Sequence, residues 1–303
     1  MLALGALEVF VRARGYRPSV KDDEYAWAWQ RARVDGDPHA VALLGTSRIL
    51  LAFSRDAFEH ALPGWTPVQL AVDGSQPAGS LVDLAADPDF RGVAIVDTTE
   101  TGITLDNLPR QAAYVRAFHR RWREPGAMIE RWLATHVQST FALLSDSGLH
   151  YFENGWRVPP YVRTFADRTQ YGDFTLRGAD LRRKQLARIA ATPPVDHDDS
   201  DAWLGAVAQM EPYIDAIQAR GGRVVYVRMP TCDERWAADQ RDAPKVRYWD
   251  RFAARTHALA IHFADYPELR AFACPDTSHL DSKDAPAFTR ALVAILVARG
   301  VFR

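Results

Sequence analysis

Three residue types in this 303-residue chain could together perform acyl transfer: Ser47 in Gly45-Thr46-Ser47-Arg48, and Asp276 and His279 in Asp276-Thr277-Ser278-His279. A serine hydroxyl is a poor nucleophile until a base takes its proton, and a histidine base works best when a carboxylate fixes its tautomer. Asp276 and His279 are three residues apart, so one short loop can present both to the same pocket. Negative charge developing on an attacked carbonyl needs N–H donors, and Ser47's own amide at a helix start is well placed to supply one. The plainer readings are that Ser47 is a helix N-cap and Asp276 a turn residue beside Pro275, with His279 on the surface.

The elements that must hold these groups can be read from periodicity. A buried strand at 40–44 ends at Gly45, and 49–62 has helical spacing up to Pro63 and Gly64. A second extended run at 67–72 meets Asp73-Gly74-Ser75-Gln76-Pro77, then a helix to about 86. A third strand at 93–96 ends at Asp97. After a helical middle segment at about 103–200, alternation resumes with a helix to 220, the strand 223–229, a helix near 244–257, a short strand at 258–263 and a last helix at 284–299. Strands alternating with helices predict an α/β fold: a mostly parallel sheet covered on both faces, a three-layer α/β/α sandwich with a helical insertion. In such sheets ligands gather beyond the carboxyl ends of the strands, and three places there hold candidate groups: Ser47 after the first strand, Gly74 after the second, and Asp276-Thr277-Ser278-His279 before the last helix. Residues 1–36 read as a lead-in or stem, and 37–303 as the α/β domain.

Composition excludes several classes. With 37 basic and 38 acidic residues, the net charge of -1 offers no polyanion-binding surface, so nucleic acid is not an expected partner. No zinc-like spacing of Cys and His occurs, and no metal or cofactor is expected. Gly74-Ser75-Gln76-Pro77-Ala78-Gly79-Ser80 mimics a phosphate loop but lacks its lysine, and no GxSxG elbow is present. His197 among Asp198, Asp199 and Asp201 is a polar linker more readily than a metal cluster. The two cysteines, Cys232 and Cys274, can form one bridge in an oxidising compartment. The apolar start, Met1 to Val11, suits either the tail of a membrane anchor or a short packed helix. Among nine Trp residues, Trp65 and Trp236 are candidate sugar-stacking platforms. Arg228 and Arg235 flank one strand end and could hold an anion or form surface ion pairs.

Gly45-Thr46-Ser47-Arg48 after the first strand and the run from Pro275 to Leu292 resemble the first and last blocks of the SGNH (GDSL-type) hydrolases. The resemblance covers about 40–100 and 222–300. It implies a five-stranded, flavodoxin-like sheet order, with Ser47 as nucleophile, His279 as general base, Asp276 as its orienter and Gly74 as an oxyanion glycine. Two departures stand out: GDS is GTS here, and after the third strand Asp97-Thr98-Thr99-Glu100 stands where the GxND block would be, so the side-chain oxyanion donor is either missing or comes from elsewhere, such as Gln76, Thr98 or Arg48. Such divergence resembles the membrane-tethered or periplasmic SGNH-like proteins associated with polysaccharide O-acetylation. It implies an extracytoplasmic O-acyl (acetyl) esterase or O-acetyltransferase acting on a carbohydrate, with a membrane acyltransferase as a candidate partner. A non-catalytic polysaccharide-binding scaffold on the same frame is the alternative.

Overall fold

The computed structural model describes residues 2–120, 122–145, 159–192 and 200–302. Five strands form the central sheet: β1 (Ala40–Leu44), β2 (Thr66–Gln69), β3 (Val93–Asp97), β6 (Arg223–Arg228) and β7 (Leu259–His262). They lie in the order β2-β1-β3-β6-β7, and every neighbouring pair is parallel. Counted within the sheet, that is the 2-1-3-4-5 order of flavodoxin-like folds. The chain leaves β1 for one side of the sheet and returns on its other side at β3. The crevice between their carboxyl ends is the switch point, and Ser47 stands there.

Strand side chains alternate between two apolar layers, as a period of two requires. Ala40, Ala42 and Leu44 join Val68, Ala94, Val96, Val224 and Tyr226 in one cluster, closed by helices Ala78–Ala86, Ser200–Ala208 and Glu211–Ala219. Val41 and Leu43 join Ile95, Val225, Val227 and Ile261 in the other, under helices Ser47–Ala52, Arg55–Ala61 and Ala285–Ala298. Both faces of the sheet are therefore buried, which explains why its strands read as continuous apolar runs.

Several elements differ from the periodicity. The helix expected over 49–62 is two, because Phe53 is extended and Ser54 caps a new start, accepting the Ala57 N–H at 3.4 Å. The helix ending at 220 is likewise split, Met210 capping a second piece with Pro212 in its first turn. Helix Asp233–Asp242 went unread because its sequence, DERWAADQRD, carries almost no apolar stripe. Only Trp249–Ala253 is helical in the stretch expected over 244–257.

The aromatic lead-in is part of the packed body. Trp27 on helix Glu24–Arg31 is fully buried in the first apolar layer, and its indole N–H donates to the Leu70 carbonyl at 2.8 Å. Arg31, buried beside it, pairs with Asp83, Asp87 and Asp35 and stacks over Phe118. The first helix, Leu2–Ala13, packs through Val11 onto Tyr16, Ala142 and Leu143. Glu8 accepts the amides of Ala142 and Leu143 at 2.9 and 2.8 Å. Among the described residues, no helix is long and apolar enough to cross a membrane.

The middle segment is not only helical. Helices Leu108–Arg120, Pro125–Thr140 and Gly178–Ala191 are joined by an antiparallel hairpin, β4 (Val162–Thr164) with β5 (Gln170–Gly172). Arg168, in its left-handed turn, donates to the carbonyls of Gln69 and Ala71 and pairs with Asp22. This plugs the polar backbone beyond edge strand β2, which would otherwise be open. Residues 146–158 and 193–199, which include part of the aromatic loop and His197, Asp198 and Asp199, lie outside the described residues.

Trp27→Ala is expected to destabilise the whole domain by about 3–5 kcal/mol in urea denaturation, the usual cost of emptying a buried aromatic site. Trp27→Phe is expected to lose less, about 1–3 kcal/mol, from the Leu70 carbonyl left without a donor.

Candidate active site

Ser47 is the first residue of its helix, not the cap. Thr46 takes the capping role: its backbone is extended and its hydroxyl accepts the Arg48 N–H. Asp97, at the end of β3, completes the turn by accepting the Thr46 amide (3.2 Å), the Thr46 hydroxyl (3.1 Å) and the Ile49 amide (3.4 Å). The approach is close. A Cβ on Gly45 would lie 2.6 Å from the Asp97 Cβ, and Gly45 has φ +146, so only glycine fits here. With those amides occupied, the Ser47 N–H is the one first-turn donor without an acceptor among the described residues, and the Ser47 hydroxyl is released from capping.

That hydroxyl lies 2.8 Å from His279 Nε2, and His279 Nδ1 lies 2.8 Å from Asp276 Oδ2. Asp276 Oδ1 accepts the amides of Ser278 and His279 at 3.0 and 2.8 Å. Burial pushes the Asp276 carboxyl up, but the His279 ring and these two amides outweigh it and hold it below the ordinary carboxylate value. An ionised Asp276 can only accept, so Nδ1 carries the ring proton and Nε2 is left to accept from Ser47. The Asp276 side chain is 7% exposed and that of His279 18%, which seals the carboxylate and keeps the base accessible.

The Asp276–His279 loop is held from behind. Thr277, completely buried, has φ +73, a costly backbone for a β-branched residue. Its carbonyl accepts the Cys232 N–H at 2.9 Å, and its N–H donates to the Cys274 carbonyl at 2.9 Å. Cys232 and Cys274 are bonded to each other, with Cα atoms 5.7 Å apart. The insertion supplies a side wall. Gly172 of β5 exchanges hydrogen bonds with Ser282, whose hydroxyl also donates to the Leu51 carbonyl, and Phe174 stacks beside the His279 ring at 6.4 Å between centroids. Tyr161 packs edge-on to Phe174; burial, with Asp276 and Asp73 nearby, pushes its hydroxyl pKa up.

The remaining expected residues are placed as follows. Gly74 occupies an exposed left-handed turn (φ +64), a conformation that by itself explains glycine. Gln76 and Thr98 meet over Gly102, where a Cβ would lie 2.2 and 2.5 Å from their side-chain oxygens. Arg48 reaches the other way, its Nη2 donating to Ser278 Oγ at 3.2 Å. Trp65 precedes β2 at the amino end of the sheet, away from Ser47, and packs on His39 and Phe302. Trp236 packs edge-on to His262 and Phe263. Both rings are partly buried against the second apolar layer.

Arg228 does not form a surface ion pair. It is fully buried, bonded to Glu100, Asp239 and the Met229 carbonyl. Glu100 is the buried residue that sequence reasoning missed. Burial pushes its carboxyl up, yet Arg228 and His262 bring it down to about 2. One trio among the described residues, Glu211, Asp215 and His257, brings possible metal-ligand atoms within 4.8 Å of one another. It sits before β7, at the opposite end of the sheet from Ser47, and the His257 ring is engaged with Asp215 at 2.6 Å.

Two outcomes follow from this arrangement. The disulfide closes a 42-residue separation, worth about 4 kcal/mol in the chain-entropy account. Reduction, or Cys232→Ser, is expected to lower the thermal midpoint and speed hydrogen exchange at the Ser278 and His279 amides; unchanged exchange there would show that the bond does not hold the loop. Glu100 has a lowered native pKa, so its stabilisation is complete above its ordinary 4.5 and is lost as pH falls towards 2. The stability gap between wild type and Glu100→Gln should therefore be wide at neutral pH and narrow near pH 3 in urea titrations. Compared with known proteins, the chain matches no family model, no curated protein and no solved structure.

Proposed function

We propose that the protein is a serine-dependent O-acyl esterase or O-acetyltransferase acting on a carbohydrate, on an SGNH-like frame. The observation that carries this reading is the continuous chain from Ser47 Oγ through His279 to buried Asp276, with both links at 2.8 Å. A non-catalytic scaffold has no need of a base in hydrogen-bond contact with a serine hydroxyl. The all-parallel sheet, with Ser47 after its first strand and the Asp276–His279 loop before its last helix, supports the same frame.

In the first step the Ser47 oxygen bonds to the acyl carbon while its proton passes to His279 Nε2. Asp276 stabilises the imidazolium and keeps its orientation. The negative oxygen of the tetrahedral intermediate is met by the Ser47 amide. Collapse breaks the bond to the leaving alcohol, which takes the proton from His279, and the acyl group stays on Ser47. Water, or a sugar hydroxyl, then attacks by the same route in reverse. A site that excludes water favours the sugar.

Carbohydrate as the acyl carrier rests on the resemblance. The Cys232–Cys274 bond supports an extracytoplasmic, oxidising location, where a membrane acyltransferase could supply the acyl group.

The test is hydrolysis of p-nitrophenyl acetate with intact-mass detection of an acetyl adduct. Wild type is expected to turn over and to acquire one adduct. Ser47→Ala should abolish both, and Asp276→Asn should lower kcat by about 10³–10⁴-fold, with the wrong His279 tautomer. Turnover that survives Ser47→Ala would overturn the assignment; no turnover and no adduct would favour the scaffold.

A further inference from the structure

Tryptophan is on average a largely buried residue, so an indole left open beside a cavity calls for a reason. Trp27 and Trp249 are sealed in the first apolar layer, whereas Trp29 and Trp132 are 39% and 55% exposed. No other described tryptophan is exposed, and these two line the same small pocket, of about 160 Å³, together with Arg131, Thr135 and His136. Trp29 comes from helix Glu24–Arg31 and Trp132 from helix Pro125–Thr140. Trp122 meets Trp29 edge-on at 6.1 Å between centroids, and the His136 ring rests against Trp132 at 4.2 Å, so each indole is braced by a neighbouring ring.

The polar groups of the pocket are neutral and largely unspent. On the same helix the Ser139 and Thr140 hydroxyls turn back to carbonyls four residues earlier, at 2.6 and 2.7 Å, but the Thr135 hydroxyl has no partner among the described residues. His136 Nδ1 donates to the Trp132 carbonyl at 2.7 Å, which leaves Nε2 for another group. The indole N–H groups of Trp27 and Trp203 donate to carbonyls, while those of Trp29 and Trp132 meet no described residue. Arg131 is different: Asp23 and the Lys21 carbonyl hold it at 3.1 and 2.9 Å, so its charge is already paired. Flat apolar faces with neutral donors and acceptors at their edge match a pyranose, which offers C–H bonds on its face and hydroxyls around its rim. The volume lies below the roughly 300–1,000 Å³ of sites for drug-sized ligands, so the pocket suits a single ring. We propose that Trp29 and Trp132 form a binding site for a neutral hexose, free or as one unit of a glycan chain. None of its groups belongs to the Ser47–His279–Asp276 chain, so the site goes beyond the acyl-transfer reading and does not depend on it. The hairpin joins the two places: Ala166, between its strands, lines the pocket, and Phe174, just past its second strand, stacks beside His279.

The test is calorimetric titration of the intact, oxidised protein with glucose, mannose and galactose, with the β-1,4-linked hexaose of each, and with glucuronate. At least one neutral sugar should bind, and a hexaose binding more tightly than its monomer identifies a glycan chain as the source. Trp29→Ala and Trp132→Ala should each weaken that binding by about tenfold or more, and Trp132→Phe, which keeps an apolar face, by less. Circular-dichroism melting checks that each variant folds; Trp132, the more exposed, remains informative if Trp29→Ala does not. No sugar binding by the folded protein, or binding unchanged in both folded alanine variants, overturns the site. Glucuronate binding more tightly than every neutral sugar overturns the neutral assignment. Self-association that rises with protein concentration and is lost in Trp132→Ala, without sugar binding, identifies a second copy of the chain as the occupant and overturns the sugar. p-Nitrophenyl acetate turnover on the same sample separates the two readings: turnover without sugar binding overturns this site alone, and tryptophan-dependent sugar binding without turnover keeps it and overturns the hydrolase.

Discussion

The carboxylate of Asp97 ends β3 and caps the turn that leaves β1, tying together the two strands that flank the switch point. A carboxylate this deeply buried is held by what it accepts, here two amides and a hydroxyl, and one oxygen still lacks a partner. Burial pushes its pKa up, against Arg48 and Thr46. The contact requires Gly45, because any side chain there would overlap Asp97, and it gives the cap to Thr46. The Ser47 hydroxyl is thereby released from capping and meets His279 Nε2 instead.

The second half of the site is stabilised by longer-range contacts. Thr277 adopts a backbone that costs on the order of 1–3 kcal/mol, and this bend lets Asp276 and His279 face each other across three residues. The Cys232 amide, the disulfide and the Gly172–Ser282 exchange all act on this loop, from β6 and from the insertion respectively. The insertion is thus a wall of the site as well as a cover for the edge of β2, and a change in its hairpin would be felt at His279 through Phe174.

Buried charge is used in two different ways. Arg31 and Arg228 are each surrounded by carboxylates, and they clamp helices onto the body at the cost of desolvation that their partners offset. Arg48 and Arg235 differ: each keeps a buried Nε without a partner among the described residues, although Arg48 also bonds Ser278 and Arg235 pairs with Asp239.

Local sequence determined the strands, the order of alternation and the three residues of the triad, because an apolar period and a type-and-order pattern are properties of short stretches. It also left Ser47 ambiguous between cap and nucleophile, since capping depends on which hydroxyl faces which amide. Tertiary structure gave the cap to Thr46, held by Asp97, which lies 50 residues downstream of Ser47. It likewise decided the Cys232–Cys274 bond, the hairpin in the insertion, the burial of Glu100 and Arg228, and the removal of Trp65 to the far end of the sheet. These depend on residues that are distant in the chain becoming neighbours in space. Helix Asp233–Asp242 shows the same limit: its few apolar residues carry no stripe, and its place against helix Gly178–Ala191 rests on ion pairs from Arg182 to Asp233 and Glu234 that only the folded chain brings together.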